Sequence, residues 1–234
     1  MPSYSFAAVN GYVIMDVHGM RALLDTGAPY TFGSAPAWQF LGRRRDLNGP
    51  VMSPCSTEAI GRHAGTRVDV LVGMDVLAEA PFEIDWPGRT VTFAPEREAR
   101  GQTVPLDITL GGPVLEGEVL GCARRLSVNT GSTIGFLPEQ ALRGTRPVGL
   151  QQGFLPTVGA YETQVHSASL KIAGSTMDLL WGRLPGIMGV HMLVAGGMVG
   201  SPLLEQYRTR FDLAGRRLTL AAYLPAAALS TSSS

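Results

Sequence analysis

Two short phrases in the chain could carry chemistry. Residues 22–28 read Ala-Leu-Leu-Asp-Thr-Gly-Ala, and residues 126–132 read Leu-Ser-Val-Asn-Thr-Gly-Ser. The first delivers a carboxylate, Asp25, at the end of a hydrophobic run. The second delivers an amide, Asn129, at the same place in its phrase. Two carboxylates a few ångströms apart cannot both ionise, so they share a proton; one can then take a proton from water while the other gives one up. Asn129 can donate a hydrogen bond but cannot release a proton. It also cannot raise the pKa of Asp25 by like-charge repulsion. Losing a general acid–base partner costs ~10²–10⁴ in rate.

The two phrases belong to a larger repeat. Asp25 and Asn129 are 104 positions apart (129 − 25). Downstream, Leu71-Val72-Gly73 matches Met198-Val199-Gly200 at an offset of 127 (200 − 73). The same offset carries Asp85 onto Asp212, Gly88 onto Gly215, Arg89 onto Arg216 and Thr92 onto Thr219. The chain is therefore two copies of one unit. The second copy holds 23 more residues (127 − 104) between its Thr-Gly loop and its Gly strand.

The elements that must position the phrases read as strands. Residues 12–17 and 21–25 form a β-hairpin that delivers Asp25 to a loop, and 114–120 with 124–129 repeat it. Residues 84–93 form a second hairpin around Trp86-Pro87-Gly88, copied at 211–220. The 23 extra residues are assigned to a hairpin within 148–172, where Tyr161–Ile172 alternates and Gly153–Gly159 forms the tip. No hairpin pattern shows between Asp25 and Gly73, and Thr57–Gly65 reads as a short helix. Pro95–Gln102 is the expected linker, giving an N-terminal unit over 1–97, a C-terminal unit over 98–224 and a frayed tail over 225–234.

Both copies resemble the retropepsin unit, the half-sized lobe of retroviral and pepsin-like aspartic peptidases, over roughly residues 10–94 and 112–221. The resemblance implies a mostly β fold: two retropepsin-like β-barrel lobes, the acid-protease fold, related by a pseudo-two-fold axis with the Asp25 and Asn129 loops at its centre. It implies peptide-bond hydrolysis by an Asp-activated water, with Asp25 and Asn129 at the two dyad positions. Thr26 and Thr130 would lock the loops together, Gly27 and Gly131 would form the turns, and Ala28 and Ser132 match the small residue that follows. The 148–172 hairpin would be the flap. In pepsin-like enzymes the flap comes from the N-terminal lobe, and here that lobe lacks one. The alternative is a pseudopeptidase that holds an extended peptide in its cleft without cutting it.

The remaining chemistry is sparse. Composition is ordinary for a compact protein, and a net charge of zero argues against a nucleic-acid surface. Arg43-Arg44-Arg45 is the one basic run and reads as a solvated loop. Cys55 and Cys122 make neither a disulfide scaffold nor a zinc site. His18, His63, His166 and His191 are scattered, so no metal and no cofactor are expected. Asp16, Asp69, Asp75, Asp85, Asp107 and Asp212 read as turn or surface residues, with Asp75 the foremost candidate for a replacement acid because it follows Gly73. Leu184–Leu204 has no formal charge over 21 residues (204 − 184 + 1). Its glycines and prolines fit a buried helix leading into a core strand better than a membrane span. Met1–Val9 lacks a basic start and an apolar core, so the expected location is cytoplasmic, with export requiring an N-terminus longer than this one. The expected partner is a peptide or protein substrate or ligand. The expected state is a monomer, because a covalently linked second copy outcompetes another chain for the pairing; the alternative is a homodimer pairing Asp25 with Asp25 of another chain.

Overall fold

The computed structural model describes residues 1–48, 56–97, 100–155, 159–184 and 196–223. Several expectations fall outside them: Cys55, part of the linker, residues 156–158 at the hairpin tip, residues 185–195 with His191, and the 225–234 tail.

The chain begins with an antiparallel meander of β1 (Ser3–Val9), β2 (Tyr12–Val17) and β3 (Met20–Leu24). Its first turn is Asn10-Gly11, with φ of 50° and 83°, the two left-handed residues of a type I′ hairpin. Every residue of β2 except Asp16 is buried, so this strand has protein on both faces. Next come β4 (Phe32–Gly33), β5 (Ala37–Phe40) and β6 (Arg43–Asp46). Helix α1 (Thr57–Ala64) starts where Ser56 accepts a hydrogen bond from the Ala59 amide and stops at Gly65 in the left-handed region. The half ends with β7 (Val70–Val72), the single turn α2 (Met74–Leu77), β8 (Phe82–Asp85) and β9 (Thr90–Phe93).

The second half opens with β10 (Gln102–Pro105), β11 (Asp107–Thr109), β12 (Gly112–Val119), β13 (Cys122–Val128) and β14 (Gly135–Phe136). After α3 (Glu139–Leu142) come three longer strands, β15 (Pro147–Leu155), β16 (Gly159–Ile172) and β17 (Ser175–Gly182). It closes with β18 (Met198–Val199), α4 (Ser201–Leu204), β19 (Tyr207–Asp212) and β20 (Arg217–Ala222).

The sequence repeat reappears in the pairing. Strand β3 lies parallel to β7 with Leu24 beside Val72, and β13 lies parallel to β18 with Val128 beside Val199. The Asp85 carboxylate accepts from the Gly88 amide in one hairpin turn, and Asp212 accepts from Gly215 in its copy. Three strands from the second half also join those of the first. The ten-stranded sheet runs β10-β20-β19-β8-β9-β1-β2-β3-β7-β4, with β19 paired to β8 across the halves. There the Phe82 and Phe211 rings stack at 4.7 Å inside a core drawn from both halves. The eight-stranded sheet runs β11-β12-β13-β18-β14-β17-β16-β15. No described helix is long and apolar enough to cross a membrane.

The structure corrects two expectations in the first half. Residues 37–46 do form a hairpin, β5–β6, and Arg43-Arg44-Arg45 is its second strand rather than a loop. Its connection is Leu41-Gly42, with Leu41 at φ 52°, a conformation that leucine rarely adopts. Packing accounts for it: Trp38 and Phe40 stack at 4.3 Å, both almost fully buried, and Phe40 meets Phe93 edge to face. On the outer side Arg45 forks onto the Glu79 carboxylate and the exposed Arg43 reaches it at 3.5 Å, while Arg44 faces solvent.

Candidate active site

Strands β3 and β13 each end in the loop that the sequence singles out, and the structure brings both loops together. The Asp25 amide donates to the Val72 carbonyl at 3.0 Å, and the Asn129 amide to Val199 at 2.9 Å. Each parallel strand pair thus continues one residue into its loop. The Gly27 amide then donates to Asp25 Oδ1 at 2.8 Å, and the Gly131 amide to Asn129 Oδ1 at 2.7 Å. Each turn is closed by its own side-chain oxygen, a role that a carboxylate and an amide fill equally well.

The threonines cross between the loops. Thr26 Oγ1 donates to the Val128 carbonyl at 2.7 Å and accepts from the Thr130 amide at 3.1 Å. Thr130 Oγ1 donates to the Leu24 carbonyl at 2.8 Å and accepts from the Thr26 amide at 3.0 Å. Both threonines are fully buried, so all four bonds are shielded from water. The glycines permit the approach. A Cβ on Gly131 would lie 2.4 Å from the Asp25 carboxyl carbon, and one on Gly27 would lie 2.2 Å from Asn129 Nδ2. The Asp25 and Asn129 side chains therefore each lie against the glycine of the opposite loop. Ala28 and Ser132 follow in matching roles. Their carbonyls accept from the Met74 and Ser201 amides, both at 2.8 Å, tying each loop to the helical turn behind it.

The electrostatics of the two sides differ. Burial pushes the Asp25 carboxyl up to about 6; the Gly27 amide bonded to it and the nearby Ala28 and Gly131 amides hold the rise back. Because Asn129 Oδ1 is taken by the Gly131 amide, its NH₂ is left to reach Met198 Sδ at 3.6 Å, a weak acceptor. The site thus presents one titratable base and, beside it, a neutral donor. Asp75 is bound elsewhere, accepting from Thr31 Oγ1 at 2.7 Å, and Thr31 in turn accepts from the Gly73 amide. It braces α2 and offers no second acid to the loops. No cluster of three metal-ligating side chains occurs among the described residues.

Above the loops the structure gathers residues that no local motif joins. Strands β15 and β16 form the hairpin expected within 148–172, paired from Pro147↔His166 to Leu155↔Gly159. Gln151 Nε2 donates to Thr133 Oγ1, two residues past Gly131. Farther along, Phe154 stacks on His63 of α1 at 5.4 Å, so the hairpin reaches the first half of the chain. Tyr12 meets His63 edge-on at 6.2 Å and lies near the Thr133 hydroxyl. Burial and, after it, the nearby Asp25 charge push the Tyr12 phenol up to about 12. Burial and then Tyr12 also raise the Tyr161 phenol, and burial lowers His63. Only the strand register could have signalled Tyr12; nothing local marks a tyrosine that opens a strand as a neighbour of Asp25.

No family profile and no curated relative matches the chain by sequence. Solved structures do. The aspartic proteinase from Irpex lacteus matches over 98% of this chain and 99% of its own, at a TM-score of 0.53 and 13% identity. A retropepsin-like aspartic protease from Rickettsia conorii matches over 50% of this chain and 89% of its own, with a TM-score of 0.38 and 16% identity. The Simian Foamy Virus (mac) protease matches over 38% of this chain and 88% of its own, with a TM-score of 0.30 and 19% identity.

Proposed function

The chain has the mostly β fold of aspartic proteases, and from that premise we propose that it binds an extended peptide in a cleft over Asp25 and Asn129, with the β15–β16 hairpin as the flap. The reading takes residues 1–97 and 98–224 as two lobes about a pseudo-two-fold axis, and the matched bonds of the two loops support it. The observation that carries it is the threonine lock, which fixes a single carboxylate beside a single amide. Asp25 is the base that takes a proton from water. The Asn129 NH₂ is the donor left for a peptide carbonyl. Among the described residues no second carboxyl group acts on Asp25, so the cleft holds peptides and cuts them slowly at most. The four crossing bonds also favour Asn129 of the same chain over Asp25 of another as the partner of Asp25, so the proposed state is a monomer.

The test is a peptide library read for both binding and cleavage from acid to neutral pH, on the wild-type chain, Asn129→Asp and Asp25→Ala. The wild type should bind and should cut at least ~10²-fold more slowly than Asn129→Asp. Asp25→Ala should cut nothing. If none of the three binds any extended peptide, the proposal is wrong.

A further inference from the structure

The repeat makes it possible to ask which residues flank the dyad on each side. Ile14 pairs with Leu23, and Val114 pairs with Ser127. Leu23 and Ser127 are 104 apart (127 − 23), the same offset as Asp25 and Asn129 (129 − 25). Ile14 therefore corresponds to Val114, and two residues earlier Tyr12 corresponds to Gly112. One half places a large aromatic side chain where the other places none.

The surroundings follow that difference. On the Tyr12 side the space between loop and hairpin is filled: Tyr12 is 8% exposed, His63 lies against it, and Phe154 lies on His63. Tyr161 closes in from the next strand, its ring lying over Gly153, where an added Cβ would be 2.4 Å from the ring. On the Gly112 side an added Cβ would touch only backbone, 3.6 Å from the Thr26 carbonyl, and one on Gly111 would meet nothing within 4 Å. Beside Gly111 lies a mostly apolar cavity of about 400 Å³, lined among others by Pro29, Tyr30, Met74, Ile108 and Leu213.

We propose that Tyr12 determines the specificity of the cleft: a bound peptide places a small residue, glycine, alanine or serine, on the Tyr12 side of the dyad and a large apolar residue on the Gly112 side. This rests on the peptide-binding reading and names the class of peptide. A large side chain on the Tyr12 side would have to push Phe154 off His63, whereas on the Gly112 side no side chain occupies the corresponding position. A packed pocket discriminates by about 10-fold or more for a misfit of one or a few carbon atoms.

The experiment measures the affinity of decapeptides for the full chain by fluorescence anisotropy, with alanine, leucine or phenylalanine placed at each position in turn. The wild type should show one position where alanine is preferred over phenylalanine by at least about 10-fold, and another on the far side of the dyad where the order reverses. Tyr12→Ala should collapse the first preference to near unity and leave the reversed preference standing. Phe154→Ala, a partly buried residue near the hairpin end, should weaken the same preference and keeps the test valid if Tyr12→Ala does not fold. Gly112→Leu should abolish the reversed preference alone. If peptides bind but neither Tyr12→Ala nor Phe154→Ala moves the ratio, the specificity assignment is overturned and the peptide-binding reading stands. If no peptide binds the wild type or any variant, both fall.

Discussion

The Asp25 loop and the Asn129 loop have the same backbone bonds and different side chains. In each, the first residue, Asp25 or Asn129, donates its amide to a parallel strand and closes a tight turn with its side-chain oxygen. In each, the threonine crosses to the other loop. The carboxylate is therefore unnecessary to the architecture of its own loop. An amide satisfies the same hydrogen bonds, so the backbone geometry of the loop does not depend on the charge.

That comparison can be broken most directly at position 129. Asn129→Asp should raise peptide hydrolysis by at least ~10²-fold, and Asp25→Ala in the same chain should remove the gain, because two groups that act as a unit are not additive. If Asn129→Asp folds and binds peptide yet cuts nothing, the amide at position 129 is not the sole obstacle to cleavage. Next comes the lock. Thr26→Val strips a buried carbonyl and a buried amide of their partner, and so does Thr130→Val. Each should cost about 2–4 kcal/mol in denaturant unfolding, and Thr26→Ser should recover most of it. Unequal costs for the two valines would show that the crossing bonds are not equivalent.

The third test uses pH. The Asp25 carboxyl titrates at about 6 in the fold against 3.8 ordinarily. The folded state thus holds this proton more tightly than the unfolded state, so ionisation weakens folding. The penalty is absent below about pH 4, grows between about pH 4 and 6, and is complete above that. Asp25→Asn should therefore stabilise the chain at pH 7 by up to about 3 kcal/mol and leave its stability at pH 3.5 unchanged. Equal effects at both pH values would mean that burial does not strain Asp25. The smallest effect is expected at Ser132, whose hydroxyl donates to the Ile134 carbonyl at 2.8 Å. Ala28 fills the matching place without a hydroxyl, so Ser132→Ala should cost only about 1 kcal/mol by thermal unfolding.

What the sequence revealed follows from where its signals are local. The paired phrases, the constant offset of 127 and the Gly-bearing turns are written within a few residues of the structures they form, and β2–β3, β8–β9 and α1 lie close to where the pattern places them. The β5–β6 hairpin was hidden because its turn is Leu41-Gly42 and its second strand is three arginines and an aspartate; burial of Trp38 and Phe40 overrides both signals. The group of Tyr12, His63, Phe154 and Tyr161 was hidden for a different reason. Its members lie up to 149 positions apart (161 − 12), and only tertiary packing joins them. The pairing of β8 with β19 is likewise illegible, since alternation of apolar residues tells which face is buried but not which strand lies alongside.

That pairing also bears on how the chain is made. Phe82 faces Phe211, 129 positions later (211 − 82). On a ribosome, β8 is complete long before its neighbour β19 has been synthesised, and until then its outer edge and the apolar side chains near it have no cover. Closing so long a loop is slow, and an open strand edge of this kind invites pairing with other chains. The first half should therefore be the aggregation-prone species during synthesis, and chains halted before residue 207 should depend on chaperones far more than the finished protein does.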